Sequence, residues 1–196
     1  MPKVSEQRRL ERRQEIARAA LRCIARNGFA ATSMNDIIAE SGLSAGAIYS
    51  HYASKEELVE MCVSELLSSH FLERITMTHN IPIPQPHDVV ASLITGIREQ
   101  VGDVPVLMHV WGQTSVNPTL KSTASDAGHV LRRFFVDYLT RWIAQEAAER
   151  DASALAEKYA DLYIGILQGY VTQSTLYDDF DLERYLDALA DFTPHL

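Results

Sequence analysis

Between Ser33 and Lys55 the chain gathers side chains able to support two kinds of chemistry. Gly42-Leu43-Ser44-Ala45-Gly46 fits the pattern G-x-S-x-G, in which a serine on a tight turn acts as a nucleophile. That use needs a strand entering the turn, a helix leaving it and a glycine loop for the oxyanion hole. A helical pattern enters here instead, and no glycine loop exists. The other chemistry is hydrogen bonding to a polyanion. Ser44, Tyr49, Ser50 and His51 carry polar groups suited to phosphate oxygens, while Ala45 and the bare backbone at Gly46 permit close approach to bases and to a thymine methyl. Metal chemistry is not indicated, because no paired His and carboxylate spacing suits an ion. Cys23 and Cys62 form neither a C-x-x-C motif nor a disulfide framework and are expected to be buried as small hydrophobes. No cofactor is expected.

The elements that must position these groups are short helices. From Arg8 onward Ile16, Ala17, Ala20, Leu21 and Ile24 make one apolar stripe, with Arg12, Arg13, Arg18, Arg22 and Arg26 mostly off it. Asn27-Gly28 ends that helix, since glycine supplies a left-handed cap. Thr32 or Ser33 caps a second helix carrying Met34, Ile37 and Ile38, with Asp36 in its first turn. It ends at Gly42, and Ser44 caps a third helix, so that only about three residues separate the two and force a sharp crossing. The spacing predicts a helix-turn-helix. In its second helix Leu43, Ala47, Ile48 and Tyr52 point inward, leaving Ser44, Ala45, Tyr49, Ser50 and His51 toward solvent or a groove. Gly46 and Ala47 are small where helices would cross. Ser54 caps a fourth helix, with Lys55, Glu56 and Glu57 in its first turn, and Lys55 beside a helix N-terminus reads as a phosphate clamp.

Charge supports the polyanion reading once it is divided along the chain. Residues 1–55 hold nine Lys or Arg against five Asp or Glu, a balance of +4; the remainder holds nine against 21, or −12, and together they give the net −8. A basic front and an acidic body are the footprint of a chain that meets nucleic acid at one end. A helical adaptor that binds protein remains an alternative, which the front-loaded arginines argue against. With 196 residues, 46% of them hydrophobic, the chain can bury a substantial core. No apolar run long enough to span a bilayer occurs, and the N-terminal arginines precede no apolar segment of a secretory signal, so a cytoplasmic protein without membrane association is expected.

From Ile16 to Leu58 the residues closely resemble the N-terminal domain of the tetracycline-repressor-like (TetR/AcrR) family of transcriptional regulators. The resemblance rests on Asn27-Gly28-Phe29, Thr32-Ser33, Asp36-Ile37-Ile38, Ser41-Gly42-Leu43-Ser44, Gly46-Ala47-Ile48-Tyr49, His51-Tyr52 and Ser54-Lys55-Glu56-Glu57-Leu58. Tyr52 departs from the family's usual Phe and brings a hydroxyl that needs a partner; Ile38 stands where Ala is common. The resemblance implies that Ser33, Ser44, Tyr49, His51 and Lys55 contact phosphates, with Ala45, Gly46 and Ser50 near base edges. It implies a homodimer on a palindromic operator, released by a small-molecule inducer whose identity the residues do not reveal. Such a protein is a regulator and not an enzyme.

Beyond Lys55 the pattern predicts a helix running to about Thr78, a length of ~38 Å at 1.5 Å per residue. Asn80 to His87, with its alternate prolines, reads as a stiff connector, after which Asp88 can cap the next helix. Further helices are expected over 103–115, from Asn117-Pro118 to about Arg150, from Asp151 or Ser153, and from Asp181. The fold is therefore expected to be all-α, with a helix-turn-helix DNA-binding domain at 1–54 and a helical ligand-binding and dimerisation domain at 55–196. Candidate ligand-binding side chains are Met108, Trp111, Phe134, Tyr138 and Tyr163, with His109, Gln113 and Gln168 as polar fixing points. Candidate dimer-interface residues are Tyr159, Ile166, Gly169, Tyr170, Tyr185 and Leu189, on two helices apolar over more than one face.

Overall fold

The computed structural model describes residues 6–66, 72, 83–147 and 151–191. Among them are nine helices and no strand: α1 (Glu6–Asn27), α2 (Met34–Ser41), α3 (Ala45–Tyr49), α4 (Lys55–Leu66), α5 (Pro86–Val101), α6 (Pro105–Gln113), α7 (Pro118–Glu146), α8 (Ala152–Leu176) and α9 (Leu182–Asp191). The all-α expectation holds. The chain divides into two compact units, Met1–Ser64 with Pro105–Ala124, and Glu65–Val104 with Ser125–Leu196.

In the first unit the helix ends follow local chemistry. Gly28 and Gly42 take the left-handed backbone, φ 77° and 67°, that closes α1 and α2. Ser33 and Asp36 form a reciprocal capping box at the start of α2, and Ser44 Oγ accepts the Ala47 N–H at 3.2 Å to start α3. The apolar stripe of α1 meets α2, α3 and α4 in one core of Ile16, Ala19, Ala20, Cys23, Ile37, Ile48, Tyr52, Leu58 and Cys62. Both cysteines are free and buried, as expected. Helix α6 also packs against α1, a nonlocal pairing with no local signal in the sequence.

The second unit is built on α5, α8, α9 and the length of α7 from Ser125, with Val90, Leu93, Phe135, Tyr138, Leu139, Trp142, Ile143 and Tyr163 buried. Tyr138 Oη donates to the Pro84 carbonyl at 2.5 Å, and the Ile83 N–H donates to Gln145 Oε1 at 3.3 Å. Arg132 on α7 bridges Glu157 and Asp161 on α8 at 2.6 and 3.1 Å.

Three local expectations change. Helix α5 begins at Pro86 rather than after Asp88, because proline at the first helical position has no N–H to lose and its φ is already helical. Asp88 lies inside the first turn, and only 83–85 of the expected connector is described outside a helix. Helix α7 stops at Glu146. The expected run of the fourth helix from 67 to Thr78 lies outside the described residues, Leu72 apart.

Candidate nucleic-acid interface

Helix α3 has five residues, too few to be stable alone, so its orientation depends on what surrounds it. Ile48 is its anchor, fully buried at 0% exposure, with Tyr52 buried just beyond its end. Leu43 and Ala47 are half-buried on the same side. On the opposite side Ser44, Ala45, Gly46, Tyr49 and Ser50 are exposed together, and His51 is half-buried at their edge. Tyr49 is 51% exposed, unusual for a ring that size. A Cβ built on Gly46 meets nothing within 4 Å, so Gly46 faces open space and not the helix crossing its small size suggested.

The polar groups differ in what they still offer. Ser44 accepts the Ala47 N–H and keeps its own O–H to donate. Ser50 Oγ spends its proton on the Ala47 carbonyl at 2.7 Å and presents lone pairs outward. Ser33 gives its N–H and its O–H to Asp36 Oδ2, each at 2.7 Å. Those two bonds, the hydroxyl's first, hold the Asp36 carboxyl below the usual range.

His51 tilts against the Tyr52 ring at 6.4 Å between centroids. Burial, then the charges of Arg9, Arg13 and Arg12, lower its pKa below 6.5. The fold thus favours neutral imidazole. The stability this gives is complete above the unfolded value of 6.5 and is lost as pH falls through it toward the depressed folded value. Wild-type protein is expected to lose more thermal stability than His51→Gln between pH 7.5 and 5, as measured by unfolding followed by circular dichroism. Equal losses would remove His51 from the account.

Several partners of the head are nonlocal. The Tyr52 hydroxyl accepts from Arg13 Nε at 3.4 Å, and the Arg13 guanidinium lies 5.7 Å from the Tyr52 ring centroid. Arg22 and Arg26, counted as part of the basic front, both reach Glu40 of α2, at 2.7 and 2.6 Å. Asn117 caps α7 through Leu120 and donates its amide to Glu56 of α4 at 3.4 Å. Asn117 directly before Pro118 predicts the cap, whereas nothing local predicts Glu56. Lys55 is occupied too: its ammonium donates to the Phe29 carbonyl at 2.7 Å and the Thr32 carbonyl at 2.9 Å.

The model for bacterial regulatory proteins of the tetR family matches residues 16–62, which span α1 to α4. Through that segment the chain is similar to the tetR family. The chain is similar to the HTH-type transcriptional regulator YfiR of Bacillus subtilis (strain 168), at 40% identity over 57 residues, 29% of this chain. That stretch spans only 28% of the relative's length. Over 92% of this chain and 75% of the relative it is 24% identical to the HTH-type transcriptional repressor KstR2 of Rhodococcus jostii (strain RHA1). The structure of Salmonella enterica GusR superposes with a TM-score of 0.73 at 24% identity, covering 97% of this chain and 96% of that one, which shows a shared fold.

The remaining candidate residues separate between the two units. Met108, His109, Trp111 and Gln113 lie on α6 in the first unit, where His109 is exposed and its ring stands 3.7 Å from a Cβ built on Gly28. Phe134, Tyr138 and Tyr163 lie in the second unit, with Phe134 stacked on Tyr138 at 6.4 Å and Phe135 stacked on Tyr163 at 5.5 Å. Burial raises both tyrosine hydroxyls well above their ordinary pKa, so they stay protonated donors. Gln168 is exposed on α8. Two buried ring nitrogens in this unit, His87 Nδ1 and Trp142 Nε1, have no hydrogen-bond partner among the described residues, and neither residue was a ligand-binding candidate. Of the dimer candidates, Tyr185 donates to the Ile166 carbonyl at 2.7 Å, and its hydroxyl lies 3.1 Å from a Cβ built on Gly169. Tyr170 packs on Tyr185, Leu189 is buried and Tyr159 is half-buried. Leu162, 53% exposed, was not among the candidates.

Proposed function

We propose that this chain is a dimeric transcriptional repressor that reads a palindromic DNA operator with α3 and is released by a small-molecule inducer. The observation that carries the reading is the division of α3, with Ile48 buried beneath it and Ser44, Ala45, Gly46, Tyr49 and Ser50 exposed together above. A buried apolar anchor under a row of small and hydrogen-bonding residues is what a recognition helix needs to enter a major groove. Ser44, Tyr49 and His51 are assigned to phosphates and Ala45, Gly46 and Ser50 to base edges, while Ser33, whose two donors are held by Asp36, serves as the cap of α2 and not as the expected phosphate contact. Ser44 works as a cap and donor, with α2 entering its turn, so the hydrolase reading is set aside.

DNA reading is assigned to residues 1–54, and ligand binding and dimerisation to 55–196, in the cytoplasm. The repressor sense is supported by the name of the Rhodococcus relative. Inducer binding is assigned to the second unit's aromatic layer, where the unpartnered nitrogens of His87 and Trp142 suit a ligand with polar groups. The dimer surface is assigned to α8 and α9, with exposed Leu162 on its outer side. Inducer would act by binding better to a body conformation in which the two reading heads no longer match the operator.

The test is a mobility shift with DNA from upstream of the chain's own gene. The protein should bind it, and log affinity should fall linearly and steeply with log salt as phosphate counterions are released. A protein-binding adaptor would give no salt-dependent shift.

A further inference from the structure

We infer that Lys55 is a positioning residue, a clasp that closes the base of the helix-turn-helix, and not a phosphate contact. The inference rests on the DNA-reading function proposed above. Its chemistry starts at the turn between α1 and α2. Once α1 ends at Asn27, the carbonyls of the following turn have no helical partners, and they lie in a part of the chain already tight enough for Thr32 to be 2% exposed. Thr32 turns its hydroxyl back onto the Gly28 carbonyl at 2.8 Å. The Lys55 ammonium then meets three carbonyls of the same turn, at 2.7 Å from Phe29, 2.9 Å from Thr32 and 3.4 Å from Ala30. It also sits 4.4 Å from the centroid of the buried Phe29 ring.

An ammonium has three N–H donors, and three carbonyls converge on them. A phosphate oxygen approaching Lys55 would have to displace one of these bonds. The place of those bonds in the chain matters more. Thr32 immediately precedes Ser33, the cap of α2, and Lys55 is the first residue of α4. One side chain therefore joins the residue before the helix-turn-helix to the residue after it, and the segment 33–54 is a closed excursion held at its base. Helix α3, with five residues and a single fully buried anchor, takes its orientation from that closure.

The test uses the full chain and Lys55→Met, which keeps the apolar stem and removes the ammonium. Expected are a Tm lower by several degrees and faster amide exchange across 44–52. At a temperature where circular dichroism shows the variant fully folded, operator affinity should fall roughly tenfold, as for lost hydrogen bonds to a charged group. The slope of log affinity against log salt should stay within about 0.3 of wild type, because no phosphate neutralisation is lost. Phe29→Leu, which removes the ring beneath the ammonium, should move affinity in the same direction with the same slope, and it decides the matter if the methionine variant does not fold. A slope shallower by about 0.9 makes Lys55 a phosphate contact and overturns the inference, whatever the Tm. Unchanged affinity in the folded variant leaves Lys55 structural only and overturns it as well. If wild-type protein binds no DNA, the DNA-reading function fails by itself; unchanged exchange across 44–52 in Lys55→Met would then refute the clasp, and faster exchange would uphold it.

Discussion

Tyr49→Ala is expected to lower operator affinity roughly ten- to a hundredfold while leaving Tm within about a degree of wild type, the size of a lost hydrogen bond to a charged partner. The separation of the two effects follows from where the residue sits. Tyr49 is half exposed on the outer side of α3, so removing its ring opens no cavity and strands no buried group. Fluorescence anisotropy on labelled operator, paired with thermal unfolding, measures both quantities. A large fall in Tm would mean that Tyr49 holds the head together, and an unchanged affinity would take it out of the interface.

Ile48→Ala should do the reverse. Ile48 lies one residue away on the same helix, fully buried against Ile37 and Tyr52 in the core shared with α1 and α4. Truncation should cost about 2–5 kcal/mol from lost burial and the cavity left behind. Chemical denaturation with two probes, one on α3 and one on α1, is expected to show the head loosening as a unit, because α3 has no other fully buried side chain to hold it. DNA affinity should fall only in proportion to the unfolded fraction. A stability loss below about 1 kcal/mol would show that the capped turns, and not burial, fix α3.

Much of the head is legible in the sequence because its determinants are local. Gly28 and Gly42 announce left-handed caps, Ser33 with Asp36 announces a capping box, and Ser44 announces the start of α3. The inward set of Leu43, Ala47, Ile48 and Tyr52 follows from helical periodicity, and it is the set the structure turns inward. What the sequence leaves out is pairing across distance. Lys55 next to a helix N-terminus has the local look of an anion clamp, and only the fold brings it to carbonyls 23 and 26 residues earlier. The same holds for Arg22 and Arg26, whose charges counted toward a DNA-binding surface and which the fold gives to Glu40. The hydroxyl of Tyr52 required a partner, and Arg13, 39 residues away, provides it. In the body, periodicity identifies buried aromatics such as Tyr138 and Tyr163 without saying which face a ligand and which face each other.

The central claim is that α3 lies in a major groove, and dimethyl sulfate footprinting on the operator tests it most directly. The reagent methylates guanine N7 in the major groove and adenine N3 in the minor groove. Bound protein should protect guanine N7 in two half-sites whose centres lie one DNA turn, about 10–10.5 base pairs, or a small multiple apart. Tyr49→Ala, held at a concentration that saturates the site, should leave those protections in place, since a phosphate contact carries no base information. Protection confined to adenine N3, or none at all under saturated binding, would contradict the claim.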